Sequence, residues 1–184
     1  MIKYLGSKRR LIGRIEDAVA AVDRDLQAKG GGVSVVVDLF SGTSRVGQAL
    51  KRRGYGVWSN DINAYALTLA RAYVEADADA VGDDVEALVD EFNRLKGHHG
   101  WFTTTYCENA RFFQPKNGAR IEAIRAAIAE KDLPPLVEAV LLTSLMEAAD
   151  RVDSTVGVHM AYLKSWAPRS NNDLLLRVPD LIPV

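Results

Sequence analysis

The sequence predicts an α/β fold that opens a doubly wound parallel sheet and then gives way to a mainly helical insertion. Three observations predict it. Residues 33–40 are apolar at nearly every position and rich in β-branched side chains, as in a parallel strand covered on both faces. Residues 46–53 read as a helix closed by Gly54, and residues 56–62 follow as a second strand, so the order is strand, crossover helix, strand. Beyond residue 80 the apolar positions keep helical spacing and no second strand–helix–strand unit is found.

The elements follow in chain order. Leu11, Ile12, Ile15, Val19, Val22 and Leu26 share one face of a helix over about residues 8–27, ended by Lys29-Gly30-Gly31-Gly32. After the two strands, residues 64–76 form the second crossover helix. Val85, Leu88, Val89, Phe92 and Leu95 mark another helix, broken at Gly97-His98-His99-Gly100. Residues 101–116 are aromatic and irregular. A helix entered near Asn117-Gly118 carries Ile121, Ile124 and Ile128, and a longer one entered at Pro134-Pro135 carries Leu136, Val137, Val140, Leu141, Leu145 and Met146. Residues 171–184, with Leu174-Leu175-Leu176, are expected to return toward the sheet as one more strand. Two or three strands make a small sheet against the usual 4–6, so the chain reads as the first part of something larger.

With 184 residues, 48% of them hydrophobic and 26% charged, the chain buries a core without staples. Its single cysteine excludes an intramolecular disulfide framework, and three scattered histidines make a metal site unexpected. No apolar run reaches the ~20 residues of a membrane span, and a cytoplasmic location is expected. The charge totals nearly cancel, 23 basic against 24 acidic, but the signs are segregated. Lys3, Lys8, Arg9, Arg10 and Arg14 lie in an acid-free start, whereas residues 75–91 hold eight acids and no Lys or Arg. A nearly neutral protein with that distribution can turn a basic face to a polyanion.

In a doubly wound sheet ligands sit beyond the carboxyl ends of the strands. Asp38-Leu39-Phe40-Ser41-Gly42 leaves the first strand and Asn60-Asp61-Ile62 the second, with Asp61 placed 23 positions after Asp38. That is the spacing at which an acid on the second strand takes both hydroxyls of an adenosine ribose. Gly42 permits close backbone approach, and Ile62 is placed to cover an adenine face. The loop Gly42-Thr43-Ser44-Arg45-Val46-Gly47-Gln48 is neither a dinucleotide fingerprint nor a phosphate loop, since Gln48 stands where the phosphate-binding lysine would be. An acidic strand end followed by Phe40-x-Gly42 better suits a ligand with an amino acid moiety, S-adenosylmethionine. A nucleotide-binding oxidoreductase is the less favoured alternative.

Lys3-Tyr4-Leu5-Gly6-Ser7-Lys8, followed by the D-L-F-x-G strand and the N-D-I-N strand end, resembles the Dam-like DNA adenine-N6 methyltransferases, in that family's order. The resemblance implies a Rossmann-like S-adenosylmethionine-dependent methyltransferase fold with an incomplete sheet. It divides the chain into a cofactor-binding start (1–80), a helical target-recognition insertion (81–170) and a return toward the sheet (171–184). It implies that Tyr4 and Lys8 border the cofactor, that Asp38, Phe40 and Gly42 shape its methionine end, that Asp61 holds the ribose and that Ile62 packs on adenine. Ser44 stands where relatives often have a second glycine. The partner implied is duplex DNA. Arg111, Lys116 and Arg120, interleaved with Trp101, Phe102, Tyr106, Phe112 and Phe113, are the candidate contacts, a mixture suited to stacking on bases while pairing with phosphates.

No catalytic residue is assigned. Cys107 lacks the Pro-Cys context of cytosine-C5 enzymes, and the single Pro-Pro, Leu133-Pro134-Pro135-Leu136, has neither the acceptor nor the aromatic of the [DNS]-P-P-[YFW] element that amine methylation uses. The chain is therefore expected to need a catalytic portion, in the same or a separate polypeptide. A non-catalytic cofactor- or DNA-binding subunit of a split enzyme is the alternative.

Overall fold

The computed structural model describes residues 2, 8–157 and 161–183. A 3-10 turn (Lys8–Arg10) leads into α1 (Ile12–Gln27), and β1 (Val35–Asp38), α2 (Arg45–Arg52) and β2 (Gly56–Ser59) follow. β1 and β2 pair in parallel, Val35 opposite Gly56 through Asp38 opposite Ser59. Next comes α3 (Ala64–Ala70), running into a π-helical turn (Arg71–Glu75), and then α4 (Ala78–Asn93). The aromatic stretch is irregular only in part: α5 (Trp101–Thr103) continues into a second π-helical turn (Thr104–Glu108), whereas residues 109–114, with Phe112 and Phe113, form neither helix nor strand as expected. α6 (Pro115–Glu130), α7 (Pro135–Val152) and a 3-10 turn (Pro168–Asn171) complete the order.

The start and stop signals act locally. Gly30 (φ 80°) lies in the break after α1, and Gly54 (φ 85°) terminates α2 in the left-handed region. Pro134-Pro135 opens α7, where a missing N–H costs nothing. Gly47 lets α2 sit directly on β2, for a Cβ there would lie 2.9 Å from Val74 and 3.3 Å from both Val57 and Ser59. Asp23 ties α1 to the sheet, accepting from Val33 N–H (2.7 Å) and Tyr55 O–H (3.3 Å).

Only one face of the sheet is covered by the described residues. Val35, Val37 and Trp58 alternate onto the other face and are 44%, 51% and 70% exposed. The double coverage expected from the apolar run is therefore not met, although the pattern that predicts it is present.

The main core lies in the helical part. Val85, Phe92, Ile124, Val140, Leu141 and Ala148 are fully buried where α4, α6 and α7 meet, and α7 packs on α3, α4, α6 and the first π-helical turn. Leu174 and Leu176 join this core. The strand expected there does not form, because side chains satisfy the backbone. Asn93 donates to Leu176 O (3.1 Å) and accepts from its N–H (2.8 Å), Asn117 accepts from Leu174 N–H (3.0 Å), Arg151 donates to Leu175 O (2.9 Å) and Ser144 to Arg177 O (2.7 Å). An extended segment so supplied has no need of a neighbouring strand. Farther on, Ile182 makes a single parallel bridge with Asp77, and Gln48 of α2 donates to Asp180 O (2.7 Å).

Candidate cofactor and nucleic-acid site

The two strand ends are joined. Asn60 N–H donates to Asp38 O (2.8 Å) and Ser41 N–H to Asn60 O (3.0 Å), extending the contact past the ladder. Asp61 then closes it. One carboxylate oxygen accepts from Gly42 N–H (2.9 Å), the other from Asn63 N–H and its side-chain amide (both 3.0 Å). The Asn63 and Gly42 N–H groups favour the charged form and lower the pKa of the Asp61 carboxyl, so it stays ionised. Asp38, by contrast, makes one long contact with Phe40 N–H at 3.4 Å.

Around this clasp stand apolar side chains left in solvent: Ile62 is 99% exposed and Phe40 76%. Ser44 adopts the left-handed backbone that glycine favours, with φ 55°, and Gly42 has φ 52°. Five candidates, Asp38, Phe40, Gly42, Asp61 and Ile62, thus come together at one end of the sheet. The turn that carries Lys8 packs against α2, and Tyr4 lies outside the described residues. Sequence reasoning missed Asn63, which orients Asp61; the N-D-I-N string is an Asx-turn signal that could have found it. A fixed carboxylate between two bare apolar side chains and a glycine turn suits the ribose and base of an adenosine ligand. Gln48 does not replace a phosphate-binding lysine in function, since its amide is spent on Asp180 O.

The candidate DNA contacts are each engaged with their own chain. Arg111 donates to Lys164 O and lies 5.2 Å over the Trp166 ring. Lys116 pairs with Asp173 (2.6 Å) and donates to Asn171 O (2.8 Å). Arg120 donates to Asn93 O (3.1 Å) and Leu95 O (2.8 Å). At the C-terminal end of α7 Glu147 accepts from Tyr73 O–H (3.0 Å), and just beyond it buried Asp153 holds Arg169 (2.5 Å).

Behind the aromatic stretch is a cavity of about 800 Å³, lined by Trp101, Phe102, Tyr106, Arg125, Met146 and Asp150 among others. Trp101 and Tyr106 meet edge-on at 5.7 Å, and Phe102 lies 5.9 Å from Phe113. Glu122 of α6 is the pedestal. It accepts from Gly100 N–H (2.9 Å), Phe102 N–H (3.0 Å), Thr103 N–H (3.1 Å) and the Thr103 hydroxyl (2.8 Å). Burial alone would raise its carboxyl, but these donors outweigh burial and hold it down at about 2, against an ordinary 4.5. A depressed acid contributes stability above its unfolded pKa and loses it as pH falls to the folded one. The melting temperature is therefore expected to drop by several degrees between pH 4.5 and 2, and Glu122→Gln, already destabilised at pH 7, should show a shallower drop over that window. Equal slopes in a pH series of melts would remove Glu122 from this role.

Cys107 is buried on the second π-helical turn, where burial pushes its thiol up to about 11, the opposite of an activated nucleophile. It packs against Gly118 so closely that a Cβ at residue 118 would lie 2.1 Å from its sulfur.

The structure is thus a mixed α/β chain in which a small parallel sheet ends in a carboxylate clasp beside a helical core. The chain matches the family described as D12 class N6 adenine-specific DNA methyltransferase over residues 4–182, and it belongs to that family. It is 30% identical over 173 residues to the type II methyltransferase M.NlaIII of Neisseria lactamica, a match covering 89% of this chain and 50% of that protein. It is 29% identical over 198 residues to M.FokI of Planomicrobium okeanokoites (98% and 29%), and 28% identical over 169 residues to M.CviAII of Paramecium bursaria Chlorella virus 1 (90% and 50%). The chain thus spans half or less of the length of these relatives. No solved structure matches it. Among the described residues no helix is long and apolar enough to cross a membrane.

Proposed function

We propose that this chain is the cofactor-binding and target-recognition portion of a DNA adenine-N6 methyltransferase acting in the cytoplasm, and that it works with a catalytic portion carried elsewhere in the same or a separate polypeptide. The observation that carries the reading is the Asp61–Gly42 clasp flanked by exposed Phe40 and Ile62. In this reading Asp61 takes the ribose hydroxyls of S-adenosylmethionine, Ile62 covers the adenine, and Asp38, Phe40 and Gly42 border the methionine end, with Tyr4 and Lys8 contributed by the N-terminal element. The cofactor, when bound, supplies an electrophilic methyl group on its sulfonium. Residues 81–170 serve as the recognition insertion, and duplex DNA is met by the basic start, where Lys8, Arg9 and Arg10 are exposed, together with Arg111, Lys116 and Arg120. The open face bearing Val35, Val37 and Trp58, in a chain that spans half or less of the length of its relatives, supports a completing portion that covers the sheet. A type II restriction-modification context is the one its relatives suggest.

Calorimetry tests this reading. S-adenosylmethionine should bind in preference to NAD, and Asp61→Ala should weaken it roughly ten- to hundred-fold by removing charge-assisted hydrogen bonds. Equal or tighter binding of NAD, or no loss on Asp61→Ala, would overturn it.

A further inference from the structure

We propose that the start of α2 is an anion site that takes the carboxylate of an amino acid moiety, with Arg45 as the residue that selects for it. The inference rests on the reading above and deepens it, by naming what in this chain recognises the charged end of the cofactor.

A helix start leaves N–H groups without acceptors in the helix itself. At α2 the first bond runs from Gln48 N–H to Ser44 O (2.8 Å), and the N–H groups of Arg45, Val46 and Gly47 meet no acceptor among the described residues. Ser44 stands at the N-cap position, yet its hydroxyl does not cap the helix. Burial makes this costly, because water does not replace the missing partners. Ser44 is 0% exposed, Ser41 7%, and neither hydroxyl has a partner among the described residues. Main-chain donors and two serine hydroxyls are thus gathered, unsatisfied, at one helix end.

The charge agrees. A cation in the first turn of a helix is opposed by the positive end of the helix dipole. Arg45 is the first residue of α2 and half-buried, and its guanidinium makes no ion pair or hydrogen bond with the described residues. The two acids that act with it on the Tyr73 phenol are engaged elsewhere, Glu147 with the Tyr73 hydroxyl (3.0 Å) and Asp180 with Arg52. An anion at the helix start answers the dipole, the bare donors and the guanidinium together.

The neighbours say which anion. A phosphate loop would place a lysine where Gln48 stands, and the Gln48 amide is spent on Asp180 O. Gly42, whose N–H donates to Asp61, precedes Arg45 by three residues, at most about 11 Å of chain. A ligand with its ribose on Asp61 therefore brings its amino acid end within reach of the helix start, and a carboxylate matches the fork of a guanidinium.

The probes are S-adenosylmethionine and its decarboxylated analogue, which keeps the sulfonium, ribose and adenine, each titrated into the full chain by calorimetry. The unaltered chain should bind the parent about ten- to hundred-fold more tightly than the analogue, the range of charge-assisted hydrogen bonds. Arg45→Gln should bring that ratio down to about threefold or less, and Arg45→Lys, which keeps the charge without the fork, should give an intermediate ratio. Asp61→Ala should weaken both ligands alike and leave the ratio intact. Thermal melts establish that each variant is folded. An analogue bound as tightly as the parent, or a ratio unchanged by Arg45→Gln, would overturn the proposal and leave the cofactor reading in place. Binding of neither ligand would overturn both.

Discussion

Incubated with tritiated S-adenosylmethionine and duplex DNA, the 184-residue chain is expected to transfer methyl groups at least about a thousandfold more slowly than the same chain supplied with a catalytic portion. Methylation of adenine N6 requires that a lone pair delocalised into the ring be turned toward the methyl carbon by acceptors that hold the amino protons. The Pro-Pro pair of this chain cannot serve, for Pro134 precedes and Pro135 begins α7, flanked by leucines. Binding the donor positions one reactant only. Orientation of the second accounts for several kcal/mol of barrier lowering, up to about 7 to 11 in favourable cases. Adding a polypeptide that bears an [DNS]-P-P-[YFW] element, fused or separate, should restore turnover. Rapid methylation by the chain alone would sink this view and direct attention to Asp150 or to Asn171-Asn172-Asp173 as amine acceptors.

Asn117→Ala should destabilise the fold by about 3 to 5 kcal/mol in urea or thermal unfolding. The side chain is 1% exposed and serves three backbone groups, donating to Ser170 O (3.2 Å) and Asn172 O (2.9 Å) and accepting from Leu174 N–H (3.0 Å). Truncation leaves all three without that partner, at about 1 to 3 kcal/mol for each buried group. It also loosens Leu174, which is buried in the core. Limited proteolysis should then cut between residues 170 and 176 before any other site. A loss below 1 kcal/mol would mean that packing of Leu174 and Leu176, and not the amide, holds the segment.

Much of the first half was legible because its signals are local. The β-branched run, Gly54 after a short helix, and the spacing of Asp38 and Asp61 each state a conformation within a few residues, and β1, α2, β2 and the gathering of Phe40, Gly42 and Ile62 follow from them. What was missed depends on distant partners. Leu174-Leu175-Leu176 has the composition of a strand, but Asn93 and Asn117, more than 50 residues earlier, take the hydrogen bonds a strand would need. The carbonyls that Arg111, Lys116 and Arg120 meet in the fold likewise leave no trace nearby in sequence. Residues 101–108 look irregular in sequence because π-helical hydrogen bonding has no simple periodicity to read, and the pedestal beneath them, Glu122, lies in another helix.

The contact of Cys107 with Gly118 makes the lone thiol a gauge of breathing. Sealed against α6 and held in its protonated form, it should react with an alkylating reagent only in those moments when the aromatic stretch lifts from that helix. The rate of labelling therefore counts openings at one defined seam, and any molecule that fastens the stretch to α6 will announce itself as protection of a single sulfur.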